Sequence, residues 1–340
     1  KVNMKSILVT GGTGSFGQAF VAYLLKKYKK KIKRIVIFSR DEFKQFNMSN
    51  KFPEKKYPQL RYFIGDVRDY DSLFTALDGV DYVFHAAALK QVPTAEYNPF
   101  ECVKTNINGA MNLIDACIDR DIKRVVVLST DKASNPINLY GATKLASDKL
   151  FVAANAYAGT HKSRFAVVRY GNVMGSRGSV IPLFISQIKN NKPITITDPN
   201  MTRFLMSLDE SINLVLYAFN KGKQGEIYVQ KSPACTIDIL AKSLKDLFYS
   251  DVPINVIGTR HGEKLYETLV SREEMARTSN LENYYSIHAD SRNLNYDNYF
   301  LKGQKDVSKL GDYTSHNTYQ MQINEVKKVI EWFNSKKSLD

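Results

Sequence analysis

The octapeptide Thr10-Gly11-Gly12-Thr13-Gly14-Ser15-Phe16-Gly17 limits what this chain can fold into more than any other stretch. It follows an apolar run over 5–10 that reads as a buried strand. It opens a segment over 15–27 whose apolar residues Phe16, Ala19, Phe20 and Leu24 recur at helical spacing. Gly11 permits a tight turn, Gly14 lets the backbone approach an anion, and Gly17 lets the helix pack closely on the strand. Free N–H groups at the first turn, around Ser15 and Phe16, together with the helix dipole, suit a pyrophosphate.

The first half continues in the same alternation. Short buried strands are predicted over 34–39, 60–64, 82–86, 124–130 and 165–170. Long helices are predicted over 99–119, with Pro99 in the first turn, and from Tyr140 to about residue 156. Strand–helix alternation with right-handed crossovers predicts an α/β fold, a Rossmann-type doubly wound parallel sheet. Beyond Val173 the pattern loosens into short strands (194–197, 226–229) and helices (207–219, 236–247, 324–334). The expected division is a dinucleotide-binding domain over 4–172 and a smaller C-terminal substrate-binding lobe over 173–340, with strands exchanged between them. Residues 277–312, rich in Asn, Tyr, Asp and Ser, show no periodicity and are expected to wrap the surface.

No apolar run approaches the roughly 20 residues that span a bilayer, and no secretory signal is visible, so the expected location is cytoplasmic. Met4 reads as the natural start, with Lys1-Val2-Asn3 a remnant ahead of it. Cys102, Cys117 and Cys235 are scattered, odd in number and without metal spacing, and so read as reduced, buried thiols. The formal charge is +14, much of it in the run from Lys26 to Arg34. No nucleic-acid motif accompanies that run. Lysines at a helix C-terminus complement its dipole, and phosphate-bearing ligands account for further basic excess without a nucleic-acid or membrane partner.

Dinucleotide choice is read at the end of the second strand, Phe38-Ser39-Arg40-Asp41, with Lys44 a turn later. Ser39 and Lys44 suit a 2′-phosphate, Arg40 can pair with it or stack on adenine, and Asp41 leaves NAD possible; NADP is the expectation. Asp66 and Val67 follow the third strand, where Asp66 would meet the adenine amino group. Ala86, after the fourth, lets the cofactor lie near the backbone.

Tyr140-x-x-x-Lys144 places a phenol and an ammonium on one helical face, where a cation favours the phenolate and proton exchange. Ahead of it, at the end of the 124–130 strand, stand Ser129-Thr130-Asp131-Lys132. A simple oxidation needs no such acid and base, so a reaction of more than one step is expected. For Lys132 to act as a base it must be neutral for part of the cycle, which desolvation and nearby cations such as Lys144 would favour.

The glycine triplet, Gly65-Asp66-Val67, Ala86-Ala87-Ala88 and Tyr140-x-x-x-Lys144, in this order, resemble an extended short-chain dehydrogenase/reductase. Further segments sharpen the likeness: Ser-Arg-Asp-Glu at 39, Ala-Ala-Leu-Lys-Gln-Val-Pro at 87, Ser-Thr-Asp-Lys-Ala at 129, Arg-Tyr-Gly-Asn-Val at 169, Gly-Ser-Arg-Gly-Ser at 175, Met-Thr-Arg-Phe at 201 and Gly-Glu-Lys at 262. Nearly the whole chain resembles the inverting UDP-N-acetylglucosamine 4,6-dehydratases that open pseudaminic acid synthesis for flagellin glycosylation. The resemblance implies that Tyr140, with Lys144 and Thr130, removes the sugar 4-hydroxyl proton as NADP+ accepts the C4 hydride. Lys132 then removes the C5 proton, Asp131 protonates the departing 6-hydroxyl, and hydride returns to C6. Re-protonation of C5 from the opposite face gives UDP-2-acetamido-2,6-dideoxy-β-L-arabino-hex-4-ulose. The likeness also implies that Val173 contacts the cofactor, that UDP-GlcNAc (UDP-N-acetylglucosamine) meets Lys90, Asn172, Arg177, Thr197, Arg203, Arg260 and Glu263, and that the chain forms a homo-oligomer, from dimer to hexamer. Asn106, on the 99–119 helix, is expected to orient Tyr140 and Lys144. Gln91 and His261 depart from the usual His and Pro, which bears on sugar preference.

Three other readings share the scaffold. A retaining 4,6-dehydratase would keep the same constellation. A 4-epimerase has no use for Asp131 and Lys132. A non-catalytic dinucleotide-binding regulator would not need Thr130, Tyr140 and Lys144 together.

Overall fold

The computed structural model describes residues 5–175, 179–289 and 309–337. Strands β1 (Ser6–Thr10), β2 (Arg34–Ser39), β3 (Leu60–Ile64), β4 (Tyr82–His85), β5 (Arg124–Leu128) and β6 (Arg164–Arg169) are parallel and lie in the order β3-β2-β1-β4-β5-β6. The β1 side chains alternate between two cores. Leu8 joins Val36, Leu113 and Phe151 on one face, while Ile7 and Val9 join Phe20, Leu24 and Val215 on the other. This two-sided burial is why the strands read as continuous apolar runs.

Helices α1 (Ser15–Tyr28), α2 (Glu42–Lys51), α3 (Tyr70–Ala76), α4 (Val92–Tyr97), α5 (Pro99–Val103), α6 (Gly109–Asp119) and α7 (Leu139–Tyr157) occupy the first half. The single helix expected over 99–119 is interrupted by a π-helical turn at Lys104–Asn108. Such a turn carries one extra residue and re-aims a side chain; here it sits beside the buried Asn106. The basic run closes α1 and leads into β2, at the end of the sheet away from the glycine loop.

The second half contributes β7 (Ile194–Ile196), β8 (Thr202–Phe204), β9 (Ile227–Gln230), β10 (Ala234–Thr236), β11 (Ile254–Val256), β12 (Thr268–Val270), β13 (Thr278–Asn280), β14 (Tyr284–Ile287) and β15 (Tyr313–Thr314). Its helices are α8 (Val180–Lys189), α9 (Leu208–Lys221), α10 (Ile237–Leu247), α11 (Arg272–Met275) and α12 (Ile323–Lys337). Three of these strands join the large sheet: β9 pairs parallel with β6, and β14 and β13 follow antiparallel. The 277–312 stretch is therefore not a plain surface wrap. Two short strands from it extend the sheet, and their polar, partly exposed residues explain the missing periodicity; residues 290–308 lie outside the described ones. A separate core of Phe184, Ile188, Ile194, Leu240, Leu244 and Val326 holds α8, α10 and α12 together. All three cysteines are buried and free. No helix among the described residues is long and apolar enough to cross a membrane.

Candidate active site

The C-terminal ends of β1, β4, β5 and β6 form one rim, and the glycine loop lies over it. Gly11 has a φ of +63°, and a Cβ there would stand 2.8 Å from the Ala87 nitrogen. At Gly17 a Cβ would meet Gly12 Cα at 2.5 Å, so α1 rests directly on the loop. Gly14 begins α1 without a side-chain cap. Ala86 and Ala87 lie beneath the loop, their N–H groups donating to Thr10 Oγ1 at 3.2 and 3.3 Å. Thr10 Oγ1 also meets His85 Nδ1 at 2.7 Å. His85 is buried, and desolvation with the nearby Lys144 pulls its pKa down to about 3, so the ring is neutral. An uncapped helix start over a cradle that admits no Cβ fits a dinucleotide pyrophosphate.

At the end of β2, Ser39 is buried and its hydroxyl accepts from Gln45 Nε2 at 3.1 Å. Asp41 caps α2 through the Lys44 N–H at 2.9 Å, and Lys44 Nζ returns to the same carboxylate at 2.9 Å. Arg40 reaches Asp66 at 3.6 Å, while Arg68 binds Asp66 at 2.7 Å. Burial raises the Asp66 carboxyl, but Arg68 and Arg40 outweigh it and hold it below its ordinary value. Of the three residues expected to face a 2′-phosphate, Ser39 is buried, while Arg40 and Lys44 are half-exposed and paired with Asp66 and Asp41 respectively. Val67 is buried under α6, its Cγ2 only 2.8 Å from where a Cβ on Gly109 would stand.

Beyond β5 the chain makes one 3₁₀ turn, Asp131–Ala133, with Thr130 as its cap. Thr130 Oγ1 donates to Asp131 Oδ1 at 3.0 Å. Lys132 Nζ lies 3.0 Å from Asp131 Oδ1, 3.2 Å from Asn172 Oδ1 and 3.5 Å from Glu267 Oε1. An ammonium has three protons, and here three acceptors surround it. Desolvation alone would lower the Lys132 pKa; Asp131 and Glu267 outweigh it, and the net shift is upward. The expectation that desolvation and nearby cations such as Lys144 lower the Lys132 pKa is therefore corrected: Asp131 and Glu267 outweigh desolvation and Arg203 and favour the ammonium. Asp131 is 1% exposed, and its Oδ2, like Oε2 of Glu267, is buried without a hydrogen-bond partner among the described residues.

Tyr140 and Lys144 occupy consecutive turns of α7 and are both buried. Burial pushes Tyr140 up to about 12, opposed by Lys132 and by a bond with Thr130. Lys144 donates to the Leu128 carbonyl at 2.9 Å; desolvation lowers its pKa against the pull of Asp148. Lys132 is thus a cation that opposes the upward shift of the Tyr140 phenol. Asn106 does connect the helices: its amide exchanges 2.9 Å bonds with the Leu89 backbone and donates to Thr143 Oγ1 at 3.0 Å. Behind α7, Asp148 accepts from Ser129 at 2.6 Å and lies 3.4 Å from the fully buried Arg169, which also binds Glu274 at 2.8 Å.

Among the expected substrate residues, Asn172 and Arg203 converge on this turn, Arg203 lying 3.8 Å from Glu267 and bonding the Lys264 carbonyl at 2.9 Å. Val173 bridges to Met206 beside them. Arg260 and Glu263 pair with each other at 3.8 Å, on a loop whose Gly262 carbonyl accepts from Asn138, the cap of α7, at 3.1 Å. Thr197 is buried and donates to Met201 Sδ; Lys90 is exposed; Arg177 lies outside the described residues. Glu267, Lys264, Asp148, Arg169 and Glu274 were not anticipated as site residues. The Gly-Glu-Lys segment at 262, which holds Lys264, and the Arg-Tyr-Gly-Asn-Val segment, which opens on Arg169, pointed to their neighbourhood.

The sheet order and this rim define an extended short-chain dehydrogenase/reductase fold, the fold of nucleotide-sugar dehydratases and epimerases. Residues 7–289 match the family described as "Polysaccharide biosynthesis protein", and residues 290–332 match its C-terminal companion. The chain belongs to the polysaccharide biosynthesis protein family. Over 327 residues it is 55% identical to a protein of Rickettsia bellii (strain RML369-C) named UDP-glucose 4-epimerase, covering 96% of this chain and 95% of that one. It is 54% identical to the protein of the same name in Rickettsia conorii, with the same coverage. Among solved structures it resembles Pen from Bacillus thuringiensis, with a TM-score of 0.86, 38% identity, and 97% and 98% of the two chains covered. DesIV, a dTDP-glucose 4,6-dehydratase of Streptomyces venezuelae with NAD and TYD bound, shares the fold at a TM-score of 0.72 and 22% identity, with 98% of each chain covered.

Proposed function

We propose that this protein is a UDP-GlcNAc 4,6-dehydratase that inverts C5 and releases UDP-2-acetamido-2,6-dideoxy-β-L-arabino-hex-4-ulose. The observation that carries the reading is the pair of the buried Asp131 and the partly exposed Lys132, 3.0 Å apart, beside Thr130 and Tyr140 on the rim. When bound, the nicotinamide dinucleotide, in our reading NADP, supplies reversible hydride acceptance. In this reading Tyr140 takes the proton of the 4-hydroxyl, Thr130 bonds the same hydroxyl, and Lys144 steadies the base of α7 through the Leu128 carbonyl. Oxidation at C4 acidifies the C5 proton. One proton passing from Lys132 Nζ to Asp131 makes a free amine and a carboxylic acid together. The amine takes the C5 proton, the acid gives its proton to the departing 6-hydroxyl, and water leaves. The ammonium–carboxylate pair is then restored, which is the state in this structure. Asn172, Arg203, Arg260, Glu263, Lys90, Thr197 and Arg177 are assigned to the UDP-sugar, and Arg40 with Lys44 to a 2′-phosphate. We further assign the protein to the cytoplasm and to a homo-oligomer, with the product entering pseudaminic acid synthesis.

The name carried by the Rickettsia relatives favours a second reading, a UDP-sugar 4-epimerase. Such an enzyme inverts C4 without losing water, and the Asp131–Lys132 pair would have no proton to move. Purified protein incubated with UDP-GlcNAc, or with UDP-glucose, and no added reductant separates the two. A mass loss of one water with deuterium entering C5 from deuterated solvent supports dehydration with inversion. An unchanged mass with an inverted C4 establishes the epimerase instead. Titration with NADP+ and NAD+ decides the cofactor.

A further inference from the structure

Glu267 is a buried carboxylate that no step above uses. It stands immediately before β12, 3.5 Å from Lys132 Nζ and 3.8 Å from Arg203 Nε. Its backbone is fastened to the late segment next to β15. The Glu267 N–H donates to Ser315 Oγ at 2.9 Å, and the Ser315 N–H donates to the Glu267 carbonyl at 2.8 Å. One carboxylate oxygen faces the two cations, and the other is buried and has no hydrogen-bond partner among the described residues. A carboxylate is costly to bury unless it is paired, and Glu267 is paired with Lys132 and Arg203.

We propose that Glu267 is a positioning residue for the C5 deprotonation: as a second carboxylate beside Asp131, it steadies the Lys132 ammonium as that ammonium forms and sets how strongly Lys132 holds the proton. This rests on the reading of Lys132 as the base. The charged and titratable groups around the pair come from four elements. Asp131 shares the 3₁₀ turn, Tyr140 approaches from α7, Arg203 from β8, and Lys264 from the segment before β12. Among the described residues, three cations (Lys132, Arg203 and Lys264) thus share two carboxylates. Removing one carboxylate leaves Asp131 alone to hold the lysine proton. An opposite charge at this range moves a pKa by about 1–3 units, so the effect is large enough to read.

The test compares wild type with Glu267→Gln, which keeps the side chain's shape, and Glu267→Asp, which keeps its charge at a shorter reach. The pH dependence of deuterium entry at C5 of UDP-GlcNAc is expected to have its acid limb at least about one unit lower in E267Q. The limb in E267D should lie between E267Q and wild type, and KM should change less than kcat. Independently of turnover, the rate at which Lys132 is acylated by an amine reagent, read by peptide mass spectrometry, should rise at lower pH in E267Q. Coincident acylation profiles in folded, dinucleotide-binding wild type and E267Q overturn the proposal. Wild type that never exchanges C5 overturns the dehydratase reading instead, while a shifted acylation profile would still establish the Lys132–Glu267 coupling.

Discussion

Gly141 lies against the backbone of Lys132 so closely that a Cβ on it would stand 2.2 Å from the Lys132 carbonyl oxygen. The helix that carries the tyrosine is thereby fixed against the turn that carries the acid–base pair, and neither can move without the other. A backbone carbonyl cannot swing aside as a flexible side chain can. Gly141→Ala should destabilise the fold by about 1–3 kcal/mol, as overpacking does. C5 exchange should fall much further than the melting temperature suggests; a variant with wild-type exchange would show that the spacing of helix and turn is not critical.

Lys132→Ala should leave dinucleotide binding intact, because Lys132 touches none of the glycine loop. It should abolish deuterium entry at C5. Fluorescence titration of the reduced cofactor and NMR of the product report the two effects separately. Persistent exchange would remove Lys132 as the base.

Arg169 is fully buried between Asp148 and Glu274. Arg169→Met leaves two carboxylates inside the protein without their cation, and breaking such a group costs about 3–5 kcal/mol. Urea unfolding should show this loss. The triple variant with Asp148→Asn and Glu274→Gln should recover part of it, since the orphaned charges are then gone.

His85 gives a pH dependence with a definite sign. Its folded pKa of about 3 lies below the ordinary 6.5, so the unfolded chain binds the proton first. The contribution is complete above pH 6.5 and is lost as pH falls from there toward 3. By pH 5 the loss is about 2 kcal/mol. His85→Gln should flatten that part of the stability profile; an unchanged slope would assign the acid sensitivity to other groups.

The Rossmann half was legible because its signals are local. Gly11, Gly14 and Gly17 sit between an apolar run and a helical stripe, and Tyr140 and Lys144 are one turn apart. What escaped depends on distant partners. Glu267 is a lone acid before Thr268-Leu269-Val270, and its meaning comes from Lys132, far away in the chain. Helix α8 was missed because Val180–Lys189 is apolar on several sides, with Pro182 in its first turn, so no clean stripe stands out. Thr278–Asn280 has too little apolar content to look like a strand, and only its pairing with Tyr285–Ile287 makes it one. The charge of Lys132 was misjudged for the same reason: sequence shows which cations are near in the chain, not which carboxylates are near in space.

The pairing of β9 with β6 also sets an order of events during synthesis. When the ribosome has made the six parallel strands, Phe165-Ala166-Val167-Val168 is an open, apolar edge, and its partner Ile227–Gln230 is some sixty residues from emerging. Such an edge invites pairing with another nascent chain. A gene fragment ending near residue 172 would make that exposure permanent, so the first six strands are a poor candidate for expression alone, however complete their glycine loop.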